Sequence, residues 1–283
     1  MELRSGKKKI DPTLTKFEKA LELHRGVRKT FKTRRIITQG IDDLWGADLL
    51  ILNKYNKENK GFKYLLNVID CFSKYSWSVA LKTKKAYDVA DAFEQILKNS
   101  SRTPRLLHVD RGKEFWNSIF KKLLKNYNIE MYHTYSEVKS SIVERFNRTL
   151  NEKMKIQFEI NKNHKWLGIL PEILSEYNDK NVHRTIGCPP SKVTKENERE
   201  IFERMYPLKK FTLDTPTFKV GDRVRISRKK FTFSNKYLRN WTTEIFKISK
   251  IHLTDPISYS IRALDDEEIL GKFYKQELQK TKF

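Results

Sequence analysis

The sequence predicts an α/β core built on a mixed sheet, followed by a small all-β domain, and three observations carry that reading. Strand-like apolar runs alternate with helix-period segments between residues 44 and 178. After Pro216 every apolar run has strand character. Charge is uneven along the 283 residues: of a formal net +23, residues 1–40, 41–205 and 206–283 contribute +8, +7 and +8. Two charge-dense flanks therefore bracket a more balanced middle. Hydrophobic residues make up 38%, below the usual globular share of about 45–50%. Aromatic residues nevertheless reach 12%, more than a disordered chain of this charge would carry, so a packed core is expected.

The elements follow in order. The first 40 residues read as a basic arm, with Lys7-Lys8-Lys9, Arg28-Lys29 and Arg34-Arg35, and a short helix around Thr15–His24. Such an arm is either a solvated tail or localisation signal, or a direct DNA contact. Leu44–Leu52 is apolar at both alternations, as in a strand buried on both faces. Tyr64–Phe72 and Ser76–Leu81 are two more strands, and the Asn- and Lys-rich stretch 53–61 suits a hairpin connection. Ala86–Leu97 has helical spacing, with Val89, Phe93, Ile96 and Leu97 on one stripe. Arg105–Val109 is a short strand, Ser118–Asn126 a helix, Glu130–Thr134 a strand, Ser141–Ile160 a long helix and Trp166–Asn178 a last helix. Strands joined by short loops form an antiparallel meander, and those separated by helices should add in parallel. Residues 183–216 carry five Gly or Pro and little apolar periodicity, so they read as connector, with a possible helix over 195–205. Four or five short strands then suit a small barrel. The chain thus divides into an arm (1–40), a core (41–190), a linker (191–215) and a tail domain (216–283).

Composition also excludes classes. Cys71 and Cys188 stand 117 positions apart, which rules out a disulfide framework and any Cys-rich zinc module. No apolar run approaches the roughly 18 residues of a membrane span, and the N-terminus lacks a signal-peptide apolar region. The expectation is a soluble intracellular protein with a polyanionic partner and no membrane association.

The informative residues are acidic. Asp48 interrupts a strand that is apolar on both faces, where an unpaired carboxylate costs several kcal/mol unless it binds a partner or metal. Asp110 ends a short apolar strand before a Gly turn. Adjacent strands lie about 4.8 Å apart, so two such carboxylates could share one cation. Glu144 opens a helix whose apolar stripe is Val143, Phe146, Leu150, Met154 and Phe158. At about 100° per residue, Glu144, Arg148, Asn151 and Lys155 share a flank roughly 110° from that stripe. Taken singly, Asp110 also reads as a turn or cap residue and Glu144 as a first-turn helix acid. Asp70 reads as a strand-end turn carboxylate before Ser73. His108 and His133 are read as structural, with general base as the lesser alternative, and Cys71 as a buried small hydrophobe.

L-W-G-A-D-L-L, V-I-D-C-F-S-K-Y, H-V-D-R-G-K-E-F and S-S-I-V-E-R-F-N-R-T-L together resemble the catalytic core of retrovirus-like integrases, the D-D-E recombinases. The 33 residues between Asp110 and Glu144 match that family's second spacing, and Tyr177–Pro190 resembles its core-closing segment. F-K-V-G-D-R-V-R-I-S, Y-L-R-N-W-T-T-E-I-F and G-K-F-Y-K-Q-E-L resemble an SH3- or chromo-like C-terminal domain, closest to integrases of Maverick/Polinton transposons and related virus-like elements.

The resemblance spans about residues 41–280. It implies an RNase H-like core and places the catalytic, metal-binding triad on Asp48, Asp110 and Glu144. Two Mg²⁺ or Mn²⁺ ions would clamp an in-line phosphoryl transfer, first by water near the element's 3′ end and then by the freed 3′-hydroxyl on target DNA. Candidate DNA contacts are Lys113, Lys139, Arg148, Asn151 and Lys155 in the core, Arg34 and Arg35 in the arm, and Arg223, Arg225, Arg228, Lys229 and Lys230 in the tail. Arg223 and Arg225 alternate with Val224 and Ile226, so that strand is expected to have one core face and one basic face. Phe231 and Phe233 either pack the barrel or stack on bases, and a methyl-lysine pocket using Tyr237 or Trp241 is a lesser reading. The implied partners are double-stranded element and target DNA, further copies of the chain and, through the tail, chromatin; the implied location is the nucleus. One departure stands out: the family's His-His-Cys-Cys zinc domain has no counterpart, since His24 precedes no N-terminal cysteine. The alternatives are a silent, domesticated DNA- or chromatin-binding protein and a nuclease that only hydrolyses.

Overall fold

In the computed structural model, residues 12–28, 30–110, 112–132, 141–207, 215–228 and 238–283 are described. They fall into two units, one within residues 36–210 and one joining residues of 1–35 to residues of 211–283.

The larger unit is a sheet covered by helices on both faces. Its strands are β1 (Leu44–Ile51), β2 (Tyr64–Asp70), β3 (Ser76–Leu81), β4 (Leu106–His108) and β5 (Glu130–Tyr132). They lie in the order β3-β2-β1-β4-β5. The hairpin-linked β1, β2 and β3 pair antiparallel, and β4 and β5, reached through helices, pair parallel. This is the mixed sheet expected from the loop lengths, because a parallel neighbour needs a crossover long enough to return the chain.

Alternation along the strands sorts side chains between two cores. Trp45, Ala47, Leu66, Val68, Leu107 and Val109 pack with helix α2 (Ala86–Ser100) and helix α3 (Ser118–Asn126). Leu65 and Ile69 pack on the opposite face with helix α4 (Ser141–Asn161) and helix α5 (Trp166–Ser175). On α4 the buried stripe is Val143, Phe146, Leu150, Met154 and Phe158, joined by Asn147. The last helix foreseen in the sequence is α-helical only to Ser175 and continues as a π-helical turn over Glu176–Lys180.

The segment that reads as connector packs against the core instead. Helix α6 (Glu198–Met205) buries Ile201 and Met205 against Phe72, Ile186 and Val193. Glu198 Oε1 accepts the Ile41 N–H at 2.7 Å, and Tyr206 Oη accepts the Thr38 N–H at 3.1 Å. The helix expected over 195–205 is thus present as Glu198–Met205, and the Gly and Pro residues around it hid only its packing against the core.

The second unit is a five-stranded, all-antiparallel sheet in the order β10-β6-β7-β8-β9. Its strands are β6 (Arg223–Ile226), β7 (Phe246–His252), β8 (Ser258–Ala263), β9 (Glu268–Tyr274) and β10 (Leu278–Lys280), around Phe218, Val224, Phe246, Ile248, Tyr259, Ile261 and Leu278. Residues of the basic arm belong to it. Helix α1 (Pro12–His24) ends where Asn240 and Trp241 donate their N–H groups to Leu23 O at 2.8 and 3.2 Å. Trp241 Nε1 donates to Arg25 O at 2.9 Å, so this tryptophan is a buried anchor for the arm. Further along, Lys32 pairs with Asp255 at 2.6 Å and the Arg34 N–H reaches Tyr274 Oη at 2.9 Å.

Candidate active site

Strand pairing brings the acidic residues together. In the parallel pair of β1 and β4, Gly46 stands opposite His108, and Asp48 and Asp110 each follow two residues later. Asp110 lies just past the strand, where its Oδ1 accepts the Gly112 N–H at 2.9 Å and its carbonyl accepts from Trp116 Nε1 at 3.0 Å. Glu144 is exposed in the first turn of α4. Its charge and those of Asp110 and Glu114 all bear on Asp48, whose carboxyl is pushed up to about 6, mainly by burial. The Leu49 N–H, donating to Asp48 Oδ1 at 2.9 Å, acts in the opposite direction.

Glu114 is a carboxylate that the sequence reading passed over. The signal was available: it stands four residues after Asp110 in D-R-G-K-E-F, and its carboxyl fills the space beside Gly112, 2.5–2.7 Å from where a Cβ would sit there.

Behind Asp48 runs a chain of polar side chains that also escaped the sequence reading. Asn147 Nδ2 donates to Asp48 Oδ2 at 2.8 Å, Asn67 Nδ2 donates to Asn147 Oδ1 at 2.6 Å, and Ser78 Oγ donates to Asn67 Oδ1 at 2.6 Å. Asn67 is fully buried and Asn147 is 9% exposed. Each amide uses its carbonyl as acceptor and its NH₂ as donor, so the direction of the chain is fixed and it terminates on the carboxylate. Buried polar groups hold their place only when partnered in this way, and here the network sets the orientation of Asp48.

Asp70 lies outside this group. It is fully buried and accepts from the Phe72 N–H at 3.0 Å and Ser73 Oγ at 2.6 Å, as a turn carboxylate does. It also receives Arg102 Nη2 at 2.6 Å, and the same guanidinium bonds Asp42 Oδ1 at 2.7 Å and lies 5.1 Å from the Trp77 ring centroid. His108 is buried at the end of β4. Burial pushes the Cys71 thiol up to about 12, so it is an inert core group.

The candidate DNA contacts separate by environment. Arg148 and Lys155 are exposed on the Glu144 flank of α4, with Asn151 half-buried between them, and Lys113 is exposed beside Asp110. Arg34, Arg35, Arg223 and Arg228 are exposed in the second unit. Arg225 differs from expectation: it is 4% exposed, and its Nη1 donates to Thr242 O at 3.0 Å and Thr243 O at 2.6 Å. Its Nε lies 3.6 Å from Glu22 Oε1, a contact between charges without a hydrogen bond. Arm residues and the 242–243 segment cover the strand face that alternation assigned to solvent. Lys139, Lys229, Lys230, His133, Phe231, Phe233 and Tyr237 lie outside the described residues.

The donor set suits a hard divalent cation. It is oxygen-only, and the charges of Asp110, Glu144 and Glu114 add to burial in raising the proton affinity of Asp48, a repulsion that a cation would relieve. Among the described residues no three His, Cys, Asp or Glu side chains are already grouped to hold one ion.

Residues 41–136 match the integrase core domain family. A transposon-derived protein of Caenorhabditis elegans is 34% identical over 69% of this chain and 65% of its own length. The retrovirus-related Pol polyprotein from transposon 297 of Drosophila melanogaster is 26% identical over 82% of this chain and 21% of its own length. The chain therefore spans less than two thirds of both relatives. A chain from the cryo-electron-microscopy structure of the simian T-cell lymphotropic virus intasome in complex with PP2A regulatory subunit B56γ has the same fold. The TM-score is 0.63 at 16% identity, over 93% of this chain and 86% of that one. No helix among the described residues is long and apolar enough to cross a membrane. Residues 41–136 thus carry an integrase core domain on a mixed sheet of this topology, in a chain similar to transposon-derived and retrovirus-related proteins.

Proposed function

We propose that this chain is a DNA integrase of the D-D-E type, with Asp48, Asp110 and Glu144 as its catalytic and metal-binding triad. The observation that carries the reading is the carboxyl of Asp48, pushed to about 6 by burial and by the charges of Asp110, Glu144 and Glu114. Such a crowd of acids beside a parallel strand pair matches a site that holds divalent metal against DNA. Mg²⁺ or Mn²⁺ bound there supplies Lewis acidity to the phosphodiester and its attacking oxygen. The chain's own residues orient and hold. Asn147 and the Leu49 N–H aim the Asp48 carboxylate, and Arg148 and Lys155 track the phosphate backbone beside it. No side chain need act as a nucleophile in 3′-end processing or strand transfer.

The proposal extends to double-stranded element and target DNA as substrates, a multimer able to hold two DNA ends, an SH3-like role for the antiparallel tail unit in DNA or chromatin contact, nuclear action and kinship with Maverick/Polinton elements. A second reading is a catalytically silent DNA-binding descendant. One assay separates the two: purified protein, a terminal-repeat duplex, Mg²⁺ and a target plasmid. Joined product is expected from the native chain. Asp48→Asn, Asp110→Asn and Glu144→Gln should each abolish it while leaving DNA binding largely intact. Strand transfer by any one of these variants would refute the triad, and a native chain that binds but never joins would support the silent reading.

A further inference from the structure

A second concave site lies in the core unit, on a different face of α4. Ile142, Arg145, Thr149 and Lys153 recur at three- and four-residue spacing and so share one side of the helix, apart from the Glu144–Arg148–Asn151–Lys155 flank. This side, the turn at Lys74 and the segment from Tyr177 to Thr185 enclose a cavity of about 360 Å³. Five basic side chains line it: Lys74, Arg145, Lys153, His183 and Arg184. Among its described lining residues there is no carboxylate. Lys153 is neutralised from outside by Glu176 at 2.7 Å, but neither Arg145 nor Arg184 has a carboxylate partner among the described residues.

We propose that this cavity is an anion site that takes a phosphate-bearing ligand, held by Lys74, Arg145, His183 and Arg184. The geometry supplies what a phosphate needs. Lys74 is 6% exposed, its Nζ donates to Cys71 O, and an ammonium has donors to spare beyond that one. The two arginines offer guanidinium forks, which match phosphate oxygens in pairs. Burial, together with the charges of Lys74 and Arg145, pushes His183 down to about 4, so its ring is neutral at pH 7. Its Nδ1 accepts the Thr185 N–H at 3.3 Å, which leaves the proton on Nε2 as one more donor. Burial and the charge of Arg145 weigh against the Lys74 ammonium despite the opposing pull of Asp70, and a bound anion removes part of that cost. The cavity falls in the size range of small-ligand sites and is larger than a single phosphate fills. The phosphate could belong to a nucleic-acid strand or to a free polyphosphate, and the chemistry of recognition is the same. The site does not depend on the acidic triad.

Isothermal calorimetry of the full chain with inorganic pyrophosphate, in EDTA, tests the proposal. Saturable binding is expected. It should weaken at least tenfold in the Arg145→Ala/Arg184→Ala double variant, whose side chains are exposed and whose loss should not disturb the fold, and remain unchanged in Lys125→Ala, a charge loss on α3 outside the cavity. Lys74→Met should weaken binding as well, if it folds. A short single-stranded oligonucleotide then identifies the source: displacement of pyrophosphate assigns the site to a nucleic-acid strand, and its failure to compete assigns it to free polyphosphate. Absence of saturable pyrophosphate binding, or equal weakening by Lys125→Ala, would overturn the anion site.

Discussion

Replacing Asp48 by Asn should stabilise the protein while silencing it. Burial and three neighbouring acids raise this carboxyl from its ordinary 3.8 to about 6. A group whose pKa is higher in the folded than in the unfolded state contributes stability that is fully present below pH 3.8 and is lost as pH rises through about 6. The interval between the two values corresponds to about 3 kcal/mol, so above pH 6 the ionised Asp48 costs the fold about that much. Asparagine is neutral at every pH, but it cannot accept both the Leu49 N–H and Asn147 Nδ2 through carbonyl oxygens, and one lost acceptor returns about 1 kcal/mol. The net gain is about 2 kcal/mol, or roughly 4–8 °C in melting temperature for a unit of this size. Urea unfolding in EDTA, followed by tryptophan fluorescence, reads the core unit well, since Trp45, Trp77, Trp116 and Trp166 all lie in it. The variant's advantage should be small at pH 4, grow to pH 6 and then level off. Divalent cation should stabilise the native chain and leave the variant nearly unmoved. An advantage that is absent at pH 7.5, or that does not change between pH 4 and pH 7.5, would refute the crowding of acids around Asp48.

Other variants test the surrounding framework. Asn147→Ala strands Asp48 Oδ2 on one side and Asn67 Nδ2 on the other, and should cost about 1–3 kcal/mol in urea unfolding as well as slowing any strand transfer. Arg102→Met leaves the fully buried Asp70 without its cation and should cost about 3–5 kcal/mol by the same measurement. In the tail unit, Arg225→Met should lower thermal stability yet leave the salt dependence of DNA binding unchanged, because the guanidinium is spent on Thr242, Thr243 and Glu22. Arg223→Ala with Arg228→Ala should do the reverse, reducing the slope of log affinity against log salt by about 2.

Local pattern decided much of this protein. The apolar run of β2 and the three- and four-residue period of α4 are written in neighbouring residues, so both elements, and the strand directions that loop lengths impose, are legible in the chain. Asp48 stood out because a carboxylate in an apolar strand violates that pattern. What stayed hidden depends on residues far apart. Asn67 and Asn147 read as incidental polar positions until folding brings them together across 80 residues of chain, and Asn147 reaches Asp48 across 99. Residues 12–35 read as a free basic arm until Trp241 meets Arg25 across 216 residues, and that docking buries Arg225, which strand alternation alone sends to solvent. The sequence by itself determined the elements, the surplus of positive charge and the few acids that break it. Only the tertiary structure decided which polar groups hold Asp48 and which arginines remain free, because partners remote in sequence leave no periodic trace in it.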